Sequence, residues 1–244
     1  MVEFMRKHTI ILALLMVVSF VGGAQEADNL DAYMEAFQSG SVDAKLEVVR
    51  RAGDEPAEEM SPLYAEAARY LEDNADRIEG SSQLVEMTRL TASGAREAGA
   101  TETLAPLRSV FENLAEPDVR SVVLRTLGEL GGEDRDTIQW LGDFFDVQNN
   151  LQAGSGRPNT QVVRAAVEAA ARISDPSFFE PLLSTALAGY SADIEQAATE
   201  ALFALEADTV QLAAQSIGNR APGAKLEALE FFLGSDEVGE DQKS

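Results

Sequence analysis

Beyond residue 28, apolar side chains return at intervals of three and four almost without interruption, and alternating β-branched runs are very few. Such spacing lays the apolar positions along one stripe of an α-helix, so the pattern predicts an all-α chain with no convincing strand. Three stretches, residues 119–132, 162–175 and 194–205, superpose without a gap and carry small or apolar residues in most of the same slots. Weaker copies begin at Ala44, Met87 and Ala224, and the string Ala-Lys-Leu-Glu occurs at both 44–47 and 224–227. The six starts are separated by 43, 32, 43, 32 and 30 residues, spacings that suit a helical repeat array. Two expected loops, 72–82 and 146–160, account for the longer intervals; the second reads Asp-Val-Gln-Asn-Asn-Leu-Gln-Ala-Gly-Ser-Gly-Arg-Pro-Asn-Thr.

In the middle units Gly, Asp or Pro ends the first helix, and a second amphipathic helix follows. Its apolar face is Leu104, Leu107, Phe111 and Leu114 in the unit that starts at Met87. Ile138, Leu141 and Phe145 form that face in the unit starting at Val119, and Phe179, Leu182, Leu183 and Ala186 in the unit starting at Val162. One helix pair cannot bury such faces alone, so neighbouring pairs must stack over a shared core. Leu30, Tyr33, Met34 and Phe37 predict an additional capping helix within 25–40, ahead of a repeat domain at 41–233. The last unit lacks a second helix, which leaves an apolar edge open to self-association, and the polar, acidic tail at 234–244 is predicted to be disordered.

The first 24 residues follow a different logic. Arg6, Lys7 and His8 precede an uncharged apolar run at 9–21, and Gly22-Gly23-Ala24 follows it. This is the pattern of a signal peptide, 1–24, cleaved after Ala24, with Met5 as an alternative start. The run has 13 residues, short of the roughly 20 needed to span a bilayer. The expected location is the periplasm or cell envelope, with secretion as the alternative and no membrane span after cleavage.

Composition narrows the chemistry. The chain has 244 residues, 19 Lys and Arg against 42 Asp and Glu, no Cys and one His, for a net charge of -23. Cleavage would remove Glu3, Arg6, Lys7 and His8, leaving a net charge of -24 with neither imidazole nor thiol. That excludes the commonest general base, the Cys nucleophile, disulfides and most zinc or copper sites. Nucleic acid and anionic lipid need clustered basic residues, and Arg50-Arg51 is the only such cluster. The expected partner is a protein or peptide, favourably a basic one.

The segment from Val119 resembles the first helix of a HEAT-type repeat, with Val119-Arg120, the small or aliphatic residues 122–124, Leu127-Gly128 and Leu130-Gly131. Asp175-Pro176 with Phe179 and Leu182-Leu183 is similar to the turn and second helix of that repeat. The resemblance covers about 41–233, strongest in the units at Val119, Val162 and Ile194. Arg120 is replaced by Val163, Glu195 and Lys225 at the equivalent places, which interrupts an arginine ladder and leaves another α-solenoid open. The family implies an α-solenoid of about six helix pairs, a right-handed superhelix with a concave surface for binding protein, and no catalytic residue.

Trp140 and Phe144, four residues apart, and Arg157, a rare positive charge in the expected loop, are the candidate protein-binding residues. The alternative for the two rings is to fill the gap between adjacent repeats. Asp73, Asp76 and Glu79, and Glu133, Asp134 and Asp136, group carboxylates without the spacing of a calcium loop, so a solvated, capping role is favoured. No nucleophile elbow, phosphate loop or dinucleotide fingerprint is present. These observations predict an exported protein-binding scaffold without cofactor or catalysis; the alternative is a carboxylate- or calcium-dependent enzyme or its accessory subunit.

Overall fold

The computed structural model describes residues 26–154, 156–205, 209–219 and 222–234. The expected leader at 1–24 and the tail from 235 lie outside them. The protein is all-α: among the described residues there are twelve α-helices and no strand. In chain order they are α1 (Glu26–Ser39), α2 (Val42–Ala52), α3 (Ser61–Asp73), α4 (Ser82–Ala98), α5 (Leu104–Phe111) and α6 (Pro117–Leu130). Then come α7 (Arg135–Ala153), α8 (Thr160–Ile173), α9 (Phe179–Leu187), α10 (Ala192–Phe203), α11 (Thr209–Asn219) and α12 (Pro222–Gly234).

Local chemistry places the boundaries. Ser41, Ser81, Asp134 and Asn159 accept backbone N–H groups at the first turns of α2, α4, α7 and α8, satisfying donors that a helix start leaves unpaired. Pro117 opens α6, where a missing N–H costs nothing. Gly99 ends α4 in the left-handed region at φ 64°, its N–H returning to the carbonyls of Ala95 and Arg96. Short 3-10 turns, Ala57–Met60, Thr101–Thr103 and Pro176–Phe178, lead directly into α3, α5 and α9.

Packing sorts the helices by parity. α2, α4, α6, α8 and α10 pack in series as one layer, while α1, α3, α5, α7, α9 and α11 pack in series as the other. Every proposed repeat start falls in an even-numbered helix: Ala44 in α2, Met87 in α4, Val119 in α6, Val162 in α8, Ile194 in α10 and Ala224 in α12. One buried apolar cluster runs from Phe37 to Phe232, and a smaller one gathers Val163, Tyr190 and Ile194. Thr126 ties neighbouring even helices together by donating to the Ala92 carbonyl at 2.8 Å. At the far end Phe232 stacks on Phe179 at 6.2 Å and meets Phe203 edge-on at 6.1 Å, docking α12 on α9 and α10.

The repeated Ala-Lys-Leu-Glu string has a mechanical meaning. Lys45, only 8% exposed, donates to the carbonyl of Phe37 and, at 3.2 Å, to that of Gln38, which satisfies the C-terminal end of α1. Its ammonium lies 4.6 Å from the Phe37 ring and 4.8 Å from the Tyr70 ring, and burial lowers its pKa. Lys225 repeats the bond seven residues back, to the Gly218 carbonyl at 2.9 Å near the end of α11. In both copies the lysine is a cap supplied by the next helix, consistent with a cation at the negative helix end.

Candidate functional site

The expected loop at 146–160 is mostly helix. α7 begins at the Asp134 cap and continues through Ala153, leaving residues 154–159 as the connection to α8. Tertiary hydrogen bonds hold the stretch 146–153 in the helix. Asn149 donates to the Pro181 carbonyl at 3.4 Å and accepts from the Thr185 hydroxyl at 3.2 Å, while Gln152 donates to the Gly189 carbonyl at 2.7 Å. The polar residues that read as a loop therefore fasten α7 to α9 and the turn after it.

Trp140, Phe144, Val147 and Leu151 recur at four, three and four residues, one stripe of α7. Its first half belongs to the joint with α5. Phe111 meets Trp140 edge-on at 5.1 Å and Phe144 at 5.6 Å, and Trp140 lies against Phe144 at 6.0 Å. Trp140 is half-buried, and Phe144 is 7% exposed, so Phe144 fills the core and presents almost no surface to a partner. Arg120 covers Phe111 with its guanidinium 4.2 Å from the ring. Burial lowers the Arg120 pKa against the opposing pull of Glu112, and its Nε is buried without a hydrogen-bond partner.

The second half of the stripe is bare. α5 ends after eight residues and α7 runs for nineteen; Val147 is 55% and Leu151 43% exposed. Arg157 is also exposed, in the connection where Gly156 lies so close to Leu151 that a Cβ there would come within 2.9 Å of it. Of the three candidate binding residues, Trp140 and Phe144 lie in the helix joint with Phe111, and Arg157 lies beyond the end of α7.

Charge divides between the layers. The even helices hold 10 basic and 12 acidic residues, but the odd helices hold 3 basic and 11 acidic. On the even face opposite charges meet across helices: Arg125 and Glu168 at 3.9 Å, Arg172 and Glu129 at 3.3 Å, Arg164 and Asp193 at 3.5 Å. Exposed pairs of this kind add little to stability because solvent screens them, yet they leave that face nearly self-neutralised. The odd face has no comparable supply of arginine.

One cluster escaped the sequence pattern. Arg108 of α5, its side chain 14% exposed, donates to the Asp134 carboxylate and the Thr137 hydroxyl. Asp134 also accepts from the Thr137 hydroxyl at 2.6 Å and its N–H at 3.2 Å. Burial alone would raise the Asp134 pKa, but the hydrogen bonds from Thr137 and Arg108 outweigh it and hold it below the usual carboxylate range. A depressed acid stabilises the fold above its unfolded pKa, near 4, and that contribution is lost as pH falls through the lower folded value. Asp134→Asn is therefore expected to cost about 1–2 kcal/mol at pH 7, with the difference from the native chain shrinking toward pH 3. Urea unfolding at both pH values checks it; a deficit that persists undiminished at pH 3 would point to the cap rather than the charge.

Among the described residues no three His, Cys, Asp or Glu side chains stand where they could hold a metal ion. Asp134 is committed to Arg108 and Thr137, and Glu133 lines a depression of about 480 Å³ with Arg135, Gln139 and Asp175 between two turns. No helix of the described residues is long and apolar enough to cross a membrane. No family model, curated protein or solved structure matches the chain.

Proposed function

We propose that the chain is exported through a leader at 1–24 and works in the cell envelope as a non-catalytic scaffold. In this reading it is an α-solenoid of about six HEAT-like helix pairs, wound right-handed, that holds a basic protein against its odd-layer face. The unequal charge of the two layers carries the reading: the odd helices contain 11 acidic residues against 3 basic ones. Charge complementarity of this kind selects partners and speeds encounter more than it adds affinity. The in-series packing of alternate helices and the placement of all six repeat starts in even helices support the repeat architecture.

Cross-linking capture from an envelope extract tests it. The native chain is expected to recover a protein rich in Lys and Arg. Replacing four exposed odd-layer acids (Asp31→Asn, Glu35→Gln, Glu72→Gln, Asp73→Asn) is expected to reduce recovery about fivefold. The same charge change on even helices (Asp43→Asn, Glu129→Gln, Glu195→Gln, Glu200→Gln) should leave recovery nearly unchanged. Equal loss in both variants, or a partner of acidic character, would contradict the assignment of the face.

A further inference from the structure

We infer that the bare half of the α7 stripe is a docking ledge for one short amphipathic helix with basic flanks, supplied by the partner protein. The inference rests on the protein-binding reading above and narrows it to a place and a ligand chemistry.

The ledge exists because two neighbouring helices differ in length. α5 covers Trp140 and Phe144 through Phe111 and then stops, while α7 continues for another nine residues past Phe144. Val147 and Leu151 prolong the apolar stripe into the space beside α7 that a longer α5 would fill. On its other side the same stretch of α7 is held to α9 through Asn149 and Gln152, so the ledge has a fixed floor. A helix seated there would continue the odd layer, inserting apolar residues spaced by three and four against Val147 and Leu151.

The borders set the charge of the occupant. Asp143, Asp146 and Asn150 are exposed along the stripe, and α7 carries no basic residue between Arg135 and Ala153. The turn leaving α5 adds exposed Glu112 and Glu116 close after Phe111. Arg157 lies beyond the helix end and the half-buried Arg120 is held over the Phe111 ring, so the exposed acids outnumber the cations beside the stripe. A second copy of this chain would set like charges against one another, and like-charge juxtaposition is costly. An acidic helix would meet the same penalty, so lysine or arginine on the flanks is required.

Trp140 makes the test direct, because it is the sole Trp in the chain and begins the stripe. The probe is a Trp-free peptide of Leu and Lys with Leu on one helical face, titrated into the full chain while Trp140 emission is followed. Its control has Glu in place of every Lys. The Lys peptide should shift Trp140 emission to shorter wavelength with a micromolar midpoint. Val147→Ser with Leu151→Ser should weaken binding about tenfold, with an unchanged melting temperature because both side chains are exposed. Asp143→Asn with Asp146→Asn should weaken binding too and flatten its salt dependence. Absence of binding, equal binding of the Glu peptide, or undiminished binding by the Val147→Ser/Leu151→Ser chain overturns the ledge. In the envelope capture, a partner kept by that double variant but lost by the odd-layer quadruple variant overturns the ledge alone. No basic partner on the native chain overturns the broader reading.

Discussion

Phe111→Ala is expected to lower the stability of the protein by about 3–5 kcal/mol, the range for deleting a buried aromatic ring. Phe111 is fully buried, meets Trp140 and Phe144 edge-on, and supports the guanidinium of Arg120. Its removal opens a cavity at the α5–α7 joint and takes away the aromatic face that compensates a half-buried cation whose Nε has no hydrogen-bond partner. The loss should therefore fall in the upper part of the range, since an uncompensated buried charge adds its own penalty. Urea unfolding gives the magnitude, and Trp140 emission gives the location: the folded variant should emit at longer wavelength as water reaches the ring. A variant that unfolds within 1 kcal/mol of the native chain, with unchanged emission, would show that Phe111 is not the keystone of this joint.

Gly128→Ala is the second large effect, and its direction runs against helix propensity. Alanine in place of a mid-helix glycine favours an exposed helix by about 1 kcal/mol. At Gly128, however, a Cβ would lie 2.6 Å from the Ala169 Cα and 2.8 Å from its Cβ, so α6 and α8 could accept it only by moving apart. Displacing packed backbone costs more than turning a flexible side chain, and the net expectation is a loss of about 2 kcal/mol. For a chain of this size that lowers the melting temperature by roughly 4–8 °C. Gly142 in α7 is the internal control, because a Cβ there meets nothing within 4 Å; Gly142→Ala should stabilise by about 0.5–1 kcal/mol. Opposite signs at the two glycines would verify the α6–α8 approach, while a stabilising Gly128→Ala would refute it.

Much of the helical order was legible because it is local. The faces Leu104, Leu107, Phe111 and Leu114, and Phe179, Leu182, Leu183 and Ala186, are buried as their spacing predicted. Ile138 is only half-buried beside the fully buried Leu141 and Phe145. Periodicity reports which residues lie on one side of a helix, and that requires no knowledge of the neighbour. The end of α7 was not legible for the complementary reason. Asn149 and Asn150 have weak helical preference, and the bonds that hold Asn149 and Gln152 come from α9 and the turn after it, more than thirty residues away. The Arg108–Asp134 pair spans 26 residues and likewise leaves no mark on local spacing. Phe144 shows the same limit: spacing put it beside Trp140, but only the position of Phe111 decides that one ring is enclosed and the other half-open.

The sequence by itself determined the helical class and the overall acidity, since each follows from composition or from intervals of a few residues. Tertiary structure alone decided which helices form each layer, and hence that the basic residues gather on one layer while the other stays acidic. It also decided that α7 outlasts α5 and bares Val147 and Leu151. Both outcomes depend on how helices far apart in the chain lie beside one another, because burial and charge balance belong to surfaces assembled from several helices.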